Sequence, residues 1–183
     1  MSTTVPQPTI TQDEAIANLR NVMKLRGNQP GWEQAWQDKH TPWEIAIGNV
    51  PQPALVATIE KDEKTKNLLP KEGKAVVPGC GRGQDVEYLA KRGFTCTGVD
   101  ISQTAVEKAN EVRGRAVAVQ GAEALQTDTL SLSPLPQWLK SQSKDERHAR
   151  VNFVQTDYFA LTDETHRGHH PLIKDVDLIY DYT

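Results

Sequence analysis

The stretch Val77-Pro78-Gly79-Cys80-Gly81-Arg82-Gly83-Gln84-Asp85 holds the residue types and spacing best suited to chemistry. Three alternating glycines follow a short apolar run, 74–78, and precede a helical pattern over 84–92. Glycine lets a backbone approach a ligand closely, and the helix behind it offers amide donors to an anionic group. Asp100 ends the next apolar run about 20 residues further on, where a carboxylate can accept from both hydroxyls of a ribose. A nucleoside ligand follows from that pair, beside the plainer reading of a glycine-rich turn with no ligand. The dinucleotide fingerprint G-x-G-x-x-G is not met, because the glycines fall at 79, 81 and 83 and position 84 is Gln84.

Trp32, Trp36 and Trp43 cluster ahead of this loop in a chain that is only 6% aromatic. An aromatic face within about 6 Å of a sulfonium can contribute roughly 2 kcal/mol when desolvated; packing as core or lid anchor is the equal alternative. His166, His169 and His170 lie beside Gly168 and Pro171 and read as a loop rather than a metal site, lacking helical spacing or a cysteine companion. Cys80 stands near a helix N-terminus, where a thiol pKa can fall, but a small residue that fits the turn is the simpler role. Arg82 is equally a contact for a cofactor carboxylate or a solvated loop side chain. No Ser-His-Asp or Cys-His set is apparent.

The elements that must position these residues follow from pattern. Positions 1–10 read as a flexible tail. Thr11 and Glu14 form a capping box ahead of a helix over 11–26 with Ile16, Leu19 and Met23 inward. Positions 27–31 end it, and a short helix over 32–39 carries Trp32 and Trp36 at i and i+4 before Pro42 breaks it. These elements make a lid segment, 11–52. A helix over 53–69 opens the second domain, 53–183. Strands over 74–78 and 94–99, each followed by a helix (84–92 and 102–113), give a parallel sheet with right-handed crossovers. Further strands are expected over 150–155 and 175–180, with a polar insertion at about 116–149.

Composition bounds the function. The 183 residues fit one domain with an appendage, and a net charge of -3 with pI near 6.0 gives no electrostatic footprint for nucleic acid or anionic lipid. Mean hydropathy is -0.58, no apolar run is long enough to span a bilayer, and the start lacks a signal peptide's basic and apolar regions. Cys80 and Cys96 cannot build a disulfide framework. A cytoplasmic protein with no nucleic-acid or membrane partner is the expectation.

G-x-G-x-G after a strand, with an acid at the end of the next, resembles the S-adenosylmethionine site of class I methyltransferases. Gly31-Trp32-Glu33-Gln34-Ala35-Trp36, Thr41-Pro42-Trp43, Val77-Pro78-Gly79-Cys80-Gly81, Gly98-Val99-Asp100-Ile101-Ser102, Asp157-Tyr158-Phe159 and Asp177-Leu178-Ile179-Tyr180-Asp181-Tyr182-Thr183 occur in that order. Together they resemble the thiopurine methyltransferase family, above all its thiol and halide methyltransferase branch. The resemblance implies an α/β, Rossmann-like class I methyltransferase fold with a parallel sheet, incomplete on its C-terminal side and preceded by a helical lid. It implies S-adenosyl-L-methionine as cofactor and a small thiol, thiopurine, hydrosulfide or halide acceptor. Trp32, Trp36 and Trp43 would line the cofactor pocket, Gly79 and Gly81 would lie against the methionine part, and Asp100 would hold the ribose. Thr156 and Asp157 would meet the adenine, and Tyr182 would close the site near the reactive methyl. From the residues alone, Asp157 reads equally as a turn or N-cap aspartate and Tyr182 as a packed edge aromatic. Family members usually run on past Thr183, so a truncated chain, self-associating through an exposed sheet edge, is expected. A catalytically weak cofactor-binding remnant and an NAD-dependent oxidoreductase domain are the alternative readings.

Overall fold

The computed structural model describes residues 10–47, 50–112, 150–161 and 170–182. The chain divides into two compact units, Met1–Gly48 and Asn49–Thr183.

In the first unit, α1 (Gln12–Arg26) starts where the capping box requires. The Thr11 hydroxyl accepts from the Glu14 amide, and the Glu14 carboxylate accepts from the Thr11 amide and hydroxyl. Those bonds hold the Glu14 carboxyl below its usual range. The next helix, α2 (Asn28–Gln37), begins four residues earlier than the sequence pattern suggests. Pro30 falls in its first turn, where a missing N–H is tolerated, so the proline does not delay the helix. A side chain at Gly31 would stand 2.8 Å from Met23 Sδ, so the absence of one lets α1 and α2 close together. α2 already stops at Gln37, and Pro42 opens another helix, α3 (Pro42–Ile47), which the pattern did not reveal.

The second unit is α/β. The expected single helix over 53–69 is two, α4 (Pro53–Lys61) and α5 (Glu63–Leu68). Asp62 interrupts them: its backbone is extended and its carboxylate accepts from the amides of Lys64 and Thr65, so it caps α5 rather than continuing α4. There follow β1 (Gly73–Pro78), α6 (Gln84–Lys91), β2 (Phe94–Asp100), α7 (Gln103–Val112), β3 (Val151–Gln155), the short α8 (Tyr158–Leu161) and β4 (Leu178–Ile179). The Ser102 hydroxyl accepts from the Ala105 amide and caps α7 as its spacing suggests. The insertion expected over 116–149 lies outside the described residues.

The four strands are parallel in the order β3-β2-β1-β4, the Rossmann-like arrangement of a class I methyltransferase. β1 is sheet interior, and Ala75, Val76, Val77 and Pro78 are all buried, as a parallel strand covered on both faces requires. One face packs Val77, Val86, Leu89, Phe94, Cys96 and Phe153; the other packs Val76, Val99 and Leu161. β4 is shorter than the expected 175–180: a turn occupies 171–175, and only Leu178 and Ile179 pair with β1. It is held by a clasp: the Asp177 carboxylate accepts from the Lys74 amide at 2.8 Å, and the Asp177 amide donates to the Lys74 carbonyl at 3.0 Å. The buried Glu60 of α4 meets the Arg92 guanidinium and accepts from the Tyr88 hydroxyl, tying α4 to α6.

Candidate functional site

The site lies at the carboxyl ends of the strands, where open α/β sheets bind ligands. Gly79, Gly81 and Gly83 have φ of 57°, 52° and 79°, all left-handed, so alternating glycine is what this turn demands. Their surroundings differ. A Cβ on Gly79 would meet nothing within 4 Å, whereas one on Gly83 would lie 2.4 Å from Phe153 Cζ. The first glycine therefore opens toward space and the last is seated on the core.

Two bonds shape the turn from within: the Cys80 amide donates to the Val99 carbonyl, and the Gly83 amide to the Cys80 carbonyl. Asp100, 7% exposed, holds it from below. Its Oδ2 accepts from the Gly81 amide and its Oδ1 from the Ser102 amide, both at 2.9 Å. A carboxylate is an acceptor-only group with about four lone-pair sites, the chemistry that a pair of ribose hydroxyls calls for. The Asp100 carbonyl accepts from the Thr156 amide at 2.9 Å, which brings the end of β3 beside the end of β2.

Asp157 begins α8, and its Oδ1 accepts from the Phe159 amide at 2.9 Å, the capping role the residue type suggests; the side chain is exposed. Tyr182 follows β4 and is 61% exposed. The structure thus places Gly79, Gly81, Asp100, Thr156, Asp157 and Tyr182 at one end of one sheet. Trp32, Trp36 and Trp43 belong to the first unit, where Trp43 meets both others edge-on at 5.7 Å between ring centroids. Trp36 is buried there, while Trp32 and Trp43 are half-buried.

Both cysteines are buried free thiols. Burial first, and then the Asp100 carboxylate, pushes the Cys80 thiol well above its usual range, and burial raises Cys96 likewise. Among the described residues no group of His, Cys, Asp or Glu could hold a metal ion. His170 lies in a turn, its Nδ1 accepting from the Leu172 amide, and His166 and His169 lie outside the described residues. No described helix is long and apolar enough to cross a membrane.

Sequence spacing missed the role of Asp85. Its Oδ1 accepts from the Gln52 amide at 2.7 Å, across 33 residues, and burial lifts its carboxyl against the lowering effect of that bond. Nearby, the Tyr180 hydroxyl is buried without a hydrogen-bond partner. Burial, and then the charge of Asp85, raises its phenol. No local pattern signals either, because the partners are distant along the chain.

Comparison with known proteins bears on all of this. The profile of the family described as thiopurine S-methyltransferase (TPMT) matches residues 27–183. A probable thiol methyltransferase 2 of Arabidopsis thaliana is 38% identical over 101 residues, 55% of this chain and 41% of that one. Thiocyanate methyltransferase 1 of the same plant is 33% identical over 124 residues, covering 68% and 49%. Thiocyanate methyltransferase 1 of Brassica oleracea is 39% identical over 84 residues, covering 46% and 33%. The chain thus spans about half the length, or less, of the curated relatives it matches. A solved structure described as "Conversion of a Disulfide Bond into a Thioacetal Group during Echinomycin Biosynthesis" aligns with a TM-score of 0.33 and 26% identity, over 63% of this chain and 32% of that one.

Proposed function

The chain belongs to the thiopurine S-methyltransferase family, and on that premise we propose that it binds S-adenosyl-L-methionine at the Gly79–Gly83 turn and transfers its methyl group to a small thiol-type acceptor. The observation that carries the reading is the pairing of an open Gly79 with Asp100. The first leaves room for a ligand against the backbone, and the second is a buried carboxylate at the end of the adjoining strand. The names of the relatives, a thiol and two thiocyanate methyltransferases, support sulfur as the accepting atom.

S-adenosylmethionine supplies an electrophilic methyl on a positively charged sulfur. What this chain contributes is alignment and environment, because in-line displacement by a good nucleophile is accelerated chiefly by proximity and by a setting that favours charge neutralisation. Asp100 serves two ends: it fixes the turn through Gly81 and Ser102, and as a carboxylate it is the type of acceptor that ribose hydroxyls need. Thr156 and Asp157 stand one strand over, where the adenine would extend. Tyr182, solvent-facing after β4, suits the rim near the reactive methyl. A thiolate, hydrosulfide or halide acceptor needs no strong general base, which agrees with the buried thiols and with carboxylates that accept from backbone amides.

Calorimetric titration tests this. S-adenosylhomocysteine should bind saturably and NAD should not. Asp100→Ala should cost about 1.5–3 kcal/mol of that binding, the range for a hydrogen bond to a charged group. Saturable binding of NAD, or an unchanged affinity in Asp100→Ala, would overturn the assignment.

A further inference from the structure

Asp85 sits at the second position of α6, directly behind the glycine turn, yet its carboxylate is spent on a different element. It accepts from the amide of Gln52, the N-cap residue of α4, which is itself buried. Gln52 makes no side-chain cap of its own, and Pro53 behind it has no N–H, so the start of α4 depends on what the rest of the fold offers. One carboxylate therefore stands in the first turns of two helices, where the backbone dipole of each favours negative charge. The Tyr180 hydroxyl, buried without a partner after β4, lies within the reach of the same charge. Asp85 thus joins the start of α4 to the first turn of α6, and the glycine turn leads straight into it.

We propose that Asp85 is a positioning residue for the cofactor turn: by holding the Gln52 amide it fixes the first turn of α6 against the start of α4 and so keeps Gly79–Gly83 in its open form. It touches no ligand and acts through the backbone of the turn. Its bearing on binding rests on the cofactor reading above, whereas its bearing on the turn does not.

The test is a cycle of variants in the full chain. Asp85→Ala removes the acceptor, Asp85→Asn keeps an acceptor oxygen, Gln52→Pro removes the donor at a position whose φ of -55° proline accepts, and Gln52→Ala keeps the donor. Hydrogen exchange of the ligand-free protein is read over 50–56 and over 79–84. Asp85→Ala and Gln52→Pro should each speed exchange in both segments, while Asp85→Asn and Gln52→Ala stay near the parent. S-adenosylhomocysteine affinity should fall roughly three- to thirtyfold in Asp85→Ala, the scale on which residues away from a ligand act. In the Gln52→Pro background, Asp85→Ala should add little. Faster exchange confined to 50–56, or a full effect of Asp85→Ala with Gln52→Pro already present, would overturn the proposal. A parent chain that binds no S-adenosylhomocysteine would overturn the cofactor reading instead, and exchange over 79–84 would still decide the role of Asp85.

Discussion

Gly79 and Gly83 share a backbone conformation but not a neighbourhood, so alanine at each should separate conformational strain from packing. Both sites have left-handed φ, and an L-residue there costs roughly 1–2 kcal/mol. At Gly79 nothing else opposes the new methyl. At Gly83 it would lie 2.4 Å from Phe153 Cζ and 2.5 Å from Cε1, and Phe153 is only 8% exposed and cannot swing away. Overpacking of that kind adds about 1–3 kcal/mol. Gly79→Ala should therefore cost about 1–2 kcal/mol and Gly83→Ala about 2–5 kcal/mol. At roughly 2–4 °C per kcal/mol for a chain of this size, calorimetric melting resolves the two. Phe153→Leu should recover the packing share in Gly83→Ala but leave the conformational share, and the coupling is read from the double-mutant cycle. Ligand affinity should invert the order relative to stability, because the Gly79 methyl occupies the space a cofactor needs. Equal melting points for the two alanine variants, or no relief from Phe153→Leu, would refute this account of the turn.

Trp36→Leu should lower the melting temperature, since Trp36 is buried and meets Trp43 edge-on; an unchanged melting temperature would show that this ring pair does not hold the first unit together. Asp85 has a folded-state pKa above its unfolded value, so its proton-linked stability is present below about 3.8 and fades as pH rises through the folded value. Denaturant titrations at pH 4 and 7 should then show Asp85→Asn gaining on the parent as pH rises, and the opposite trend would contradict the burial argument. Cys80 and Cys96 should both resist a thiol reagent at pH 8 in the native chain and both react in guanidinium, because burial raises each thiol; prompt native labelling of either would refute this.

Local grammar carried the sequence reading furthest. The Thr11–Glu14 box, the glycine turn between β1 and α6, and Ser102 at the head of α7 each depend on residues within a few positions of one another, and each stands where its spacing places it. Proline misled twice. Pro42 is the first residue of a helix as well as the end of the approach to it, and Pro30 lies inside a first turn rather than before one. Asp62 did carry a readable sign, an acid ahead of a helical run, but no glycine or proline stands between 54 and 69 to mark the break. Tertiary links were invisible for a different reason. Glu60 reads as a solvated helix residue until Arg92 and Tyr88 are folded against it, and Asp85 reads as part of the loop until Gln52 arrives.

The Asp177 clasp sets a timetable for synthesis. Lys74 and Asp177 are 103 residues apart, and β4 is the second neighbour that β1 requires. At about 5–20 residues per second, β1 leaves the ribosome roughly 5–20 s, and β2 roughly 4–16 s, before the strand that flanks β1 on its other side. During that interval β1, whose last four residues are buried in the finished sheet, presents an unpaired edge, a template for the wrong partner. Nascent chains of this protein should therefore lean on a holding chaperone until residue 180 emerges, and slowing translation between 112 and 175 should lengthen that dependence.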